Sequence, residues 1–171
     1  SRGWRISLVD AAARAASGAS SLHAGCFHPL VARDDSLLAR LSRVAFLHAL
    51  DAWRELERRG HRIAWQRCGL LQLAHRPEDE APLRAAIEGL GFPSSFVEAV
   101  DARGGALRTG WPVDRGGAWY PEGGWARAPS IVQAQFDAAM SSAGSTFVAE
   151  RRVHALARAG EVQTECVESH D

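Results

Sequence analysis

Residues 34–60 constrain the fold of this chain more than any other stretch. Asp34, Asp35 and Ser36 supply N-cap and first-turn chemistry for a long helix that runs through Arg59 and is stopped by Gly60. Leu37, Leu41 and Val44 form one apolar stripe, and Phe46, Leu50 and Trp53 form another on roughly the opposite side. A helix apolar on two sides is expected to bury more than one face and so to sit between layers.

The segments around it predict an α/β chain. Before it, GWRISLVD (Gly3 to Asp10) reads as a short buried strand carrying Ile6, Leu8 and Val9, followed by the small-residue loop AAARAASGASSLHAG. After it, Arg62 to Ala74 reads as strands broken near Gly69. Pro77, Glu78 and Asp79 open a helix that Gly91 closes, and Phe96 to Asp101 suggest a further strand. A glycine-rich region then leads to GGAWYPEGGW, where Trp119 and Tyr120 are strand residues before a turn at Pro121 to Gly124. A helix is expected from Pro129 and Ser130, with Val132, Phe136, Ala139 and Ala143 at helical spacing and Gly144 at its end; Thr146 to Val167 read as β-rich.

Composition narrows the chemistry. The 171 residues suffice for one domain with a core or for a portion of a larger protein. Twenty basic residues balance 20 acidic ones, so net charge gives no argument for nucleic acid, membrane or acidic substrates. All the basic residues are arginine, which excludes a lysine Schiff base and a P-loop lysine. Cys26, Cys68 and Cys166 show no CxxC spacing, and His23, Cys26 and His28 do not form an established zinc pattern, so no metal and a reducing cytoplasm are expected. No apolar run approaches a membrane span and the start does not read as a signal peptide, so no membrane is expected.

A strand ending in an acid and followed by a small-residue loop is the second half of a dinucleotide-binding pattern, in which the carboxylate accepts ribose hydroxyls. Asp10 is the candidate, with a cap as the alternative role. The GxGxxG of the first half is absent from these residues, the chain beginning too late to contain it.

Three stretches, ASGASSLHAGCFHPLVARDDS, CGLLQLA and GGAWYPEGGWARAPS, in this order and spacing, resemble a family of flavoproteins. It is the FAD-dependent oxidase domain of the bifunctional tRNA 5-methylaminomethyl-2-thiouridine biosynthesis proteins, within the D-amino-acid oxidase-like group. The resemblance implies a partial Rossmann-like FAD-binding fold with a substrate domain of mixed sheet and helices. On this reading residues 1–35 are a partial FAD-binding segment, 36–128 the substrate domain, and 129–171 a helix and strands returning to the FAD-binding domain.

The resemblance places Asp10 at the FAD ribose, Ser17, Gly18, Ala19 and Ser20 along the phosphates and flavin, and Gly25 close to the ring system. Ser21-Leu22 stand where the family commonly has Gly-Asn. Trp119, Tyr120 and Trp125 become pocket walls or a stack for a uridine base; the alternative is a hairpin whose aromatics fill a core. Arg115 and Arg127 become candidates for the substrate carboxylate, against a solvated surface role. His48 reads as a core or boundary histidine, and Arg54, Arg58, Arg59, His61, Arg62 and Arg67 as tRNA phosphate contacts or helix-end cations.

The implied reaction removes the carboxymethyl group from 5-carboxymethylaminomethyl-(2-thio)uridine of tRNA by hydride transfer and imine hydrolysis, and implies a methyltransferase domain in the same polypeptide. No catalytic side chain is assigned, because a neutral amine needs no strong base. The residues in hand, without the first glycine loop, are expected to bind FAD poorly. Two alternatives remain: an oxidase of a small amino acid such as glycine or sarcosine, and a noncatalytic binding domain that keeps the aromatic platform.

Overall fold

A computed structural model of the protein describes residues 5–154. In chain order its first elements are β1 (Ser7–Val9), β2 (Gly25–Phe27), α1 (Leu37–Arg58), β3 (Trp65–Arg67), β4 (Leu70–Leu73) and α2 (Glu80–Leu90). They are followed by β5 (Glu98–Val100), α3 (Ala102–Thr109), β6 (Gly117–Tyr120), β7 (Gly124–Ala126), α4 (Ala128–Met140) and β8 (Thr146–Val148). The described residues form two compact units, one of residues 5–23, 56–63 and 127–154 and one of residues 24–55 and 64–126.

In the first unit β1 and β8 pair in parallel, with Leu8 opposite Phe147, and Phe136 of α4 meets Phe147 edge to face at 5.0 Å. The strand forms where expected but is not buried: Leu8 and Val9 are 36% and 40% exposed. Among the described residues its one ladder partner is β8, and two strands cover little of each other's faces. Helix α4 begins at Ala128 and stops at Met140, short of Ala143 and Gly144. The Ser141 hydroxyl donates to the Asp137 carbonyl at 2.8 Å, and Ser142 N–H donates to the Ala139 carbonyl, so these residues take up the last turn's acceptors before the glycine is reached. Residues 155–167 of the expected β-rich segment lie outside the described residues.

The second unit contains two three-stranded antiparallel sheets, β2-β7-β3 and β4-β6-β5. No hairpin joins β6 to β7, since both pair in succession with the segment that carries β4 and β3. Leu73 to Leu70 face Gly117 to Tyr120, and Arg67 to Trp65 then face Gly124 to Ala126. Between these ladders Pro121 to Gly123 oppose Cys68 and Gly69 as a bulge, where Gly69 N–H donates to the Gly123 carbonyl at 3.0 Å. Gly69 lies at φ +80°, where a side chain is strained, and the Trp119 indole fills the place its Cβ would take. The expected turn forms, with Gly123 N–H donating to the Tyr120 carbonyl at 3.0 Å, but it kinks a continuing strand rather than reversing it and is bridged by an Arg67–Glu122 ion pair.

The ladders explain the glycines of the aromatic stretch. A Cβ at Gly117 would overlap the Gln72 carbonyl, one at Gly124 the Gln66 carbonyl, and one at Gly116 the Val100 carbonyl. Glycine lets neighbouring backbones approach here.

Helix α1 buries one face only. Ala39, Phe46 and Leu50 are buried, whereas Leu37, Leu41 and Val44 are 72%, 57% and 66% exposed and His48 is exposed with them. The two-faced burial expected of this helix is therefore not found among the described residues. Its inner side meets an aromatic cluster in which Trp53 lies edge-on to Phe27 and Trp65 at 5.2 and 5.3 Å. Its start is tied down by Asp35, at φ +43°, which pairs with Arg40 at 2.8 Å and Arg43 at 2.5 Å. Hydrogen bonding from Arg43 and then from Arg40 holds the Asp35 carboxyl below the usual carboxylate range.

Helix α2 runs from a 3-10 turn at Pro77–Asp79 to left-handed Gly91 and sets Ile87 into a core with Val97, Ala118 and Tyr120. Helix α3 forms where the glycine-rich sequence predicts a loop, Gly104 and Gly105 lying within it. Asp101 caps it by accepting from Gly104 N–H at 2.7 Å. Gly105 is buried in close packing, where a Cβ would lie 3.0 Å from Leu71 Cδ2 and 3.2 Å from Val113 Cγ2.

Candidate functional site

The first unit carries the expected cofactor residues Asp10 and 17–20. Asp10 stands at the carboxyl end of β1, where a parallel sheet directs side chains toward a ligand crevice. Its N–H donates to the Val148 carbonyl at 3.1 Å and its carbonyl accepts from Arg151 N–H at 2.9 Å, so the backbone is fixed on both sides. Asp10 Oδ1 accepts from Ala12 N–H at 2.8 Å, a local cap of the loop. Oδ2 has no partner among the described residues.

Beside this carboxylate opens a cavity of about 370 Å³, lined by Val9, Asp10, Ala15 and Ala16 from the strand and loop and by Gln135 and Phe136 from α4. It is mostly apolar, with Asp10 its only charged lining residue. Ala16 adopts φ +60°, and Ser17 Oγ donates to the Arg14 carbonyl at 2.7 Å, so the loop is shaped by its own hydrogen bonds. Ala19 and Ser20 lie in a 3-10 turn, and a Cβ at Gly18 would meet nothing within 4 Å. An apolar hollow with one uncommitted carboxylate oxygen at its edge fits the adenosine part of a dinucleotide, whose ribose offers hydroxyl donors.

The second unit holds Gly25 and the aromatic stretch. Gly25 pairs with Ala126 on the edge strand β2 and is exposed. In the next rung Cys26, Trp125 and Gln66 stand directly opposite one another and share one face of the β2-β7-β3 sheet. All three are exposed, Trp125 to 38%. The opposite face carries Phe27 and Trp65 against α1.

The three aromatics of the stretch have different surroundings. Trp125 presents its indole to solvent, and Trp119 is half-buried over Gly69. Tyr120 is in the core at 1% exposure, its hydroxyl donating to Gln72 Oε1 at 3.2 Å and its ring 4.9 Å from His28. Burial pushes the Tyr120 phenol up to about 12.

The arginine candidates separate as well. Arg115 is held by Asp114 at 2.7 Å and donates to the His75 carbonyl at 3.0 Å. The hydrogen bond from Arg115 holds the Asp114 carboxyl below the usual range, and Asp114 in turn raises the Arg115 guanidinium. Arg127 is exposed at the start of α4, with no ion pair among the described residues. Of the basic run, Arg54 pairs with Asp51 at 3.0 Å and Arg67 with Glu122. Among the described residues no group of His, Cys, Asp and Glu could hold a metal, and no helix is long and apolar enough to cross a membrane.

Gln66 was not singled out in the sequence, because nothing local to AWQRC says which residue will stand beside Trp125. A register across 59 positions decides that.

Comparison with known proteins settles the family. The model of the FAD dependent oxidoreductase family, DAO, matches residues 1–170. The chain belongs to that family. FAD is the family's cofactor, and the α/β fold is shared with its solved members. Glycine oxidase from Geobacillus kaustophilus is 26% identical with a TM-score of 0.66, over 89% of this chain and 42% of that one. NikD, an amino acid oxidase of nikkomycin biosynthesis, is 25% identical with a TM-score of 0.59, over 88% of this chain and 38% of that one.

Among curated relatives, the tRNA 5-methylaminomethyl-2-thiouridine biosynthesis bifunctional protein MnmC of Cupriavidus metallidurans is 39% identical over 160 residues, 94% of this chain. MnmC of Burkholderia mallei is 44% identical over 141 residues, 81% of this chain. The chain spans 24% and 21% of the length of these two relatives.

Proposed function

We propose that this chain is part of a flavin-dependent amine oxidase that removes the carboxymethyl group from 5-carboxymethylaminomethyl-(2-thio)uridine in tRNA. The observation that carries the reading is the identity of 39% over 94% of the chain to a protein named for tRNA 5-methylaminomethyl-2-thiouridine biosynthesis. The same relative is named a bifunctional protein, in line with a second domain in the same polypeptide, which this reading takes to be a methyltransferase; the reading also takes the cytoplasm as the site of action.

Bound FAD supplies the electron acceptor for hydride loss from the glycine-like methylene of the substrate. The overall change would consume one water and one oxygen, release glyoxylate and hydrogen peroxide, and leave 5-aminomethyluridine. Asp10 would hold FAD by accepting its ribose hydroxyls through Oδ2, and Ser17, Gly18, Ala19 and Ser20 would lie along its phosphates and flavin. Gly25, where a Cβ would meet nothing within 4 Å, would stand close to the ring system. In the second unit Trp125, with Trp119 beside the kink, offers an aromatic face to the substrate base. Tyr120 supports that strand from the core, because its burial and its Gln72 hydrogen bond leave it no free face. For the substrate carboxylate Arg127 is preferred to Arg115, whose fork is occupied by Asp114 and the His75 carbonyl.

The full-length, FAD-loaded protein of which this chain is part should be incubated with an anticodon stem-loop RNA bearing 5-carboxymethylaminomethyluridine. The expected products are glyoxylate, detected as its hydrazone, and 5-aminomethyluridine, detected by mass spectrometry of the digested RNA. Peroxide formed from glycine or sarcosine, with neither product from RNA, would overturn the reading in favour of a small amino acid oxidase.

A further inference from the structure

We infer that Gln66 reads the pairing edge of the substrate uracil while Trp125 stacks on its face; this rests on the proposed tRNA substrate. The register sets Gln66 directly opposite Trp125 in an antiparallel pair, with both side chains on the open face of the β2-β7-β3 sheet. Trp125 is 38% exposed although it sits on the central strand, and its flanking residues Gly124 and Ala126 are buried. The backbone beneath the indole is therefore held by two ladders, while the ring itself is open. Such a ring binds the π-face of a base without selecting which base.

Selection needs a hydrogen-bonding group beside the ring, and the rung supplies one on one side only. Cys26, on the β2 side, offers a weak thiol donor, while Gln66, on the β3 side, offers a carboxamide with both a donor and an acceptor. No hydrogen bond among the described residues engages the Gln66 side chain. Uracil presents an N3–H donor next to the O4 acceptor, complementary to Oε1 and Nε2 of a glutamine. Bidentate contacts of this kind carry most of the discrimination in base recognition.

The test is a double-mutant cycle between protein and RNA. Full-length, FAD-loaded wild type and Gln66→Ala are assayed by glyoxylate release on the modified anticodon stem-loop and on the same RNA with its uracil N3-methylated, which removes the donor. In the wild type, N3-methylation should raise KM about tenfold with little change in kcat. In Gln66→Ala the unmethylated substrate should already show the raised KM, and methylation should change it less than about twofold. Trp125→Ala should raise KM for both RNAs alike. Equal methylation penalties in wild type and Gln66→Ala would overturn the role of Gln66 while leaving the tRNA reading intact. A wild-type protein that releases no glyoxylate from either RNA would instead overturn the tRNA reading and this inference with it.

Discussion

Replacing Gly124 by alanine tests the central packing argument, because β7 is the middle strand of its sheet and cannot relax toward either side. The added Cβ would overlap the Gln66 carbonyl oxygen and lie 3.0 Å from the Gln66 carbonyl carbon and 3.1 Å from Arg67 Cα. Carbon atoms pack at about 3.5–4.0 Å, so all three contacts are repulsive and all are with backbone, which cannot rotate away. Separating β7 from β3 relieves them only by stretching the ladder that holds Trp65, Gln66 and Arg67. The cost should lie at the upper end of the overpacking range, about 3 kcal/mol, a large share of a stability of about 5–15 kcal/mol. For a chain of this length that corresponds to a fall in Tm of about 6–12 °C. Gly89→Ala is the matched control: Gly89 lies within α2, and a Cβ there meets nothing within 4 Å. Helix propensity should make that variant more stable by about 0.5–1 kcal/mol. Both can be read by thermal melts followed by circular dichroism. A Gly124→Ala protein melting within 2 °C of wild type would refute the claim that strand approach demands this glycine (about 0.5–1 kcal/mol).

Tyr120 is the chain's single tyrosine, so absorbance at alkaline pH reports it directly. Its ionisation should centre near 12 in the folded protein and near 10.0 after denaturation. Because the folded value is the higher one, stability should be unaffected by this group below pH 10 and should fall as pH rises from there toward 12. A folded-state midpoint near 10 would contradict the buried environment. Asp10→Asn should raise the Kd for FAD about tenfold in the holoprotein, read by recovery of flavin fluorescence on dilution, since a neutral amide accepts ribose hydroxyls less strongly than a carboxylate. An unchanged Kd would return Asp10 to its other role, capping the loop through Ala12.

Local chemistry carried much of this fold into the sequence. Asp34 to Ser36 before a periodic run, Pro77 before α2, and Gly69 and Gly91 at positive φ act within a few residues of themselves, and the elements appear where those signals stand. The order and spacing of three motifs also carry the flavoprotein family. Tertiary structure decided what depends on distant partners. Whether Pro121 to Gly123 reverse the chain or kink it depends on the 65–73 segment, which pairs with both sides of that stretch. Whether Leu37 and Val44 are core depends on what packs against α1, and how closely Gly105 is approached depends on Leu71, 34 residues away. The alternation of Trp119, Tyr120 and Trp125 among half-buried, buried and open positions follows from the bulge, which shifts the pairing register by one residue. A period of two states that neighbouring side chains face opposite ways; only the paired strand states which way is out.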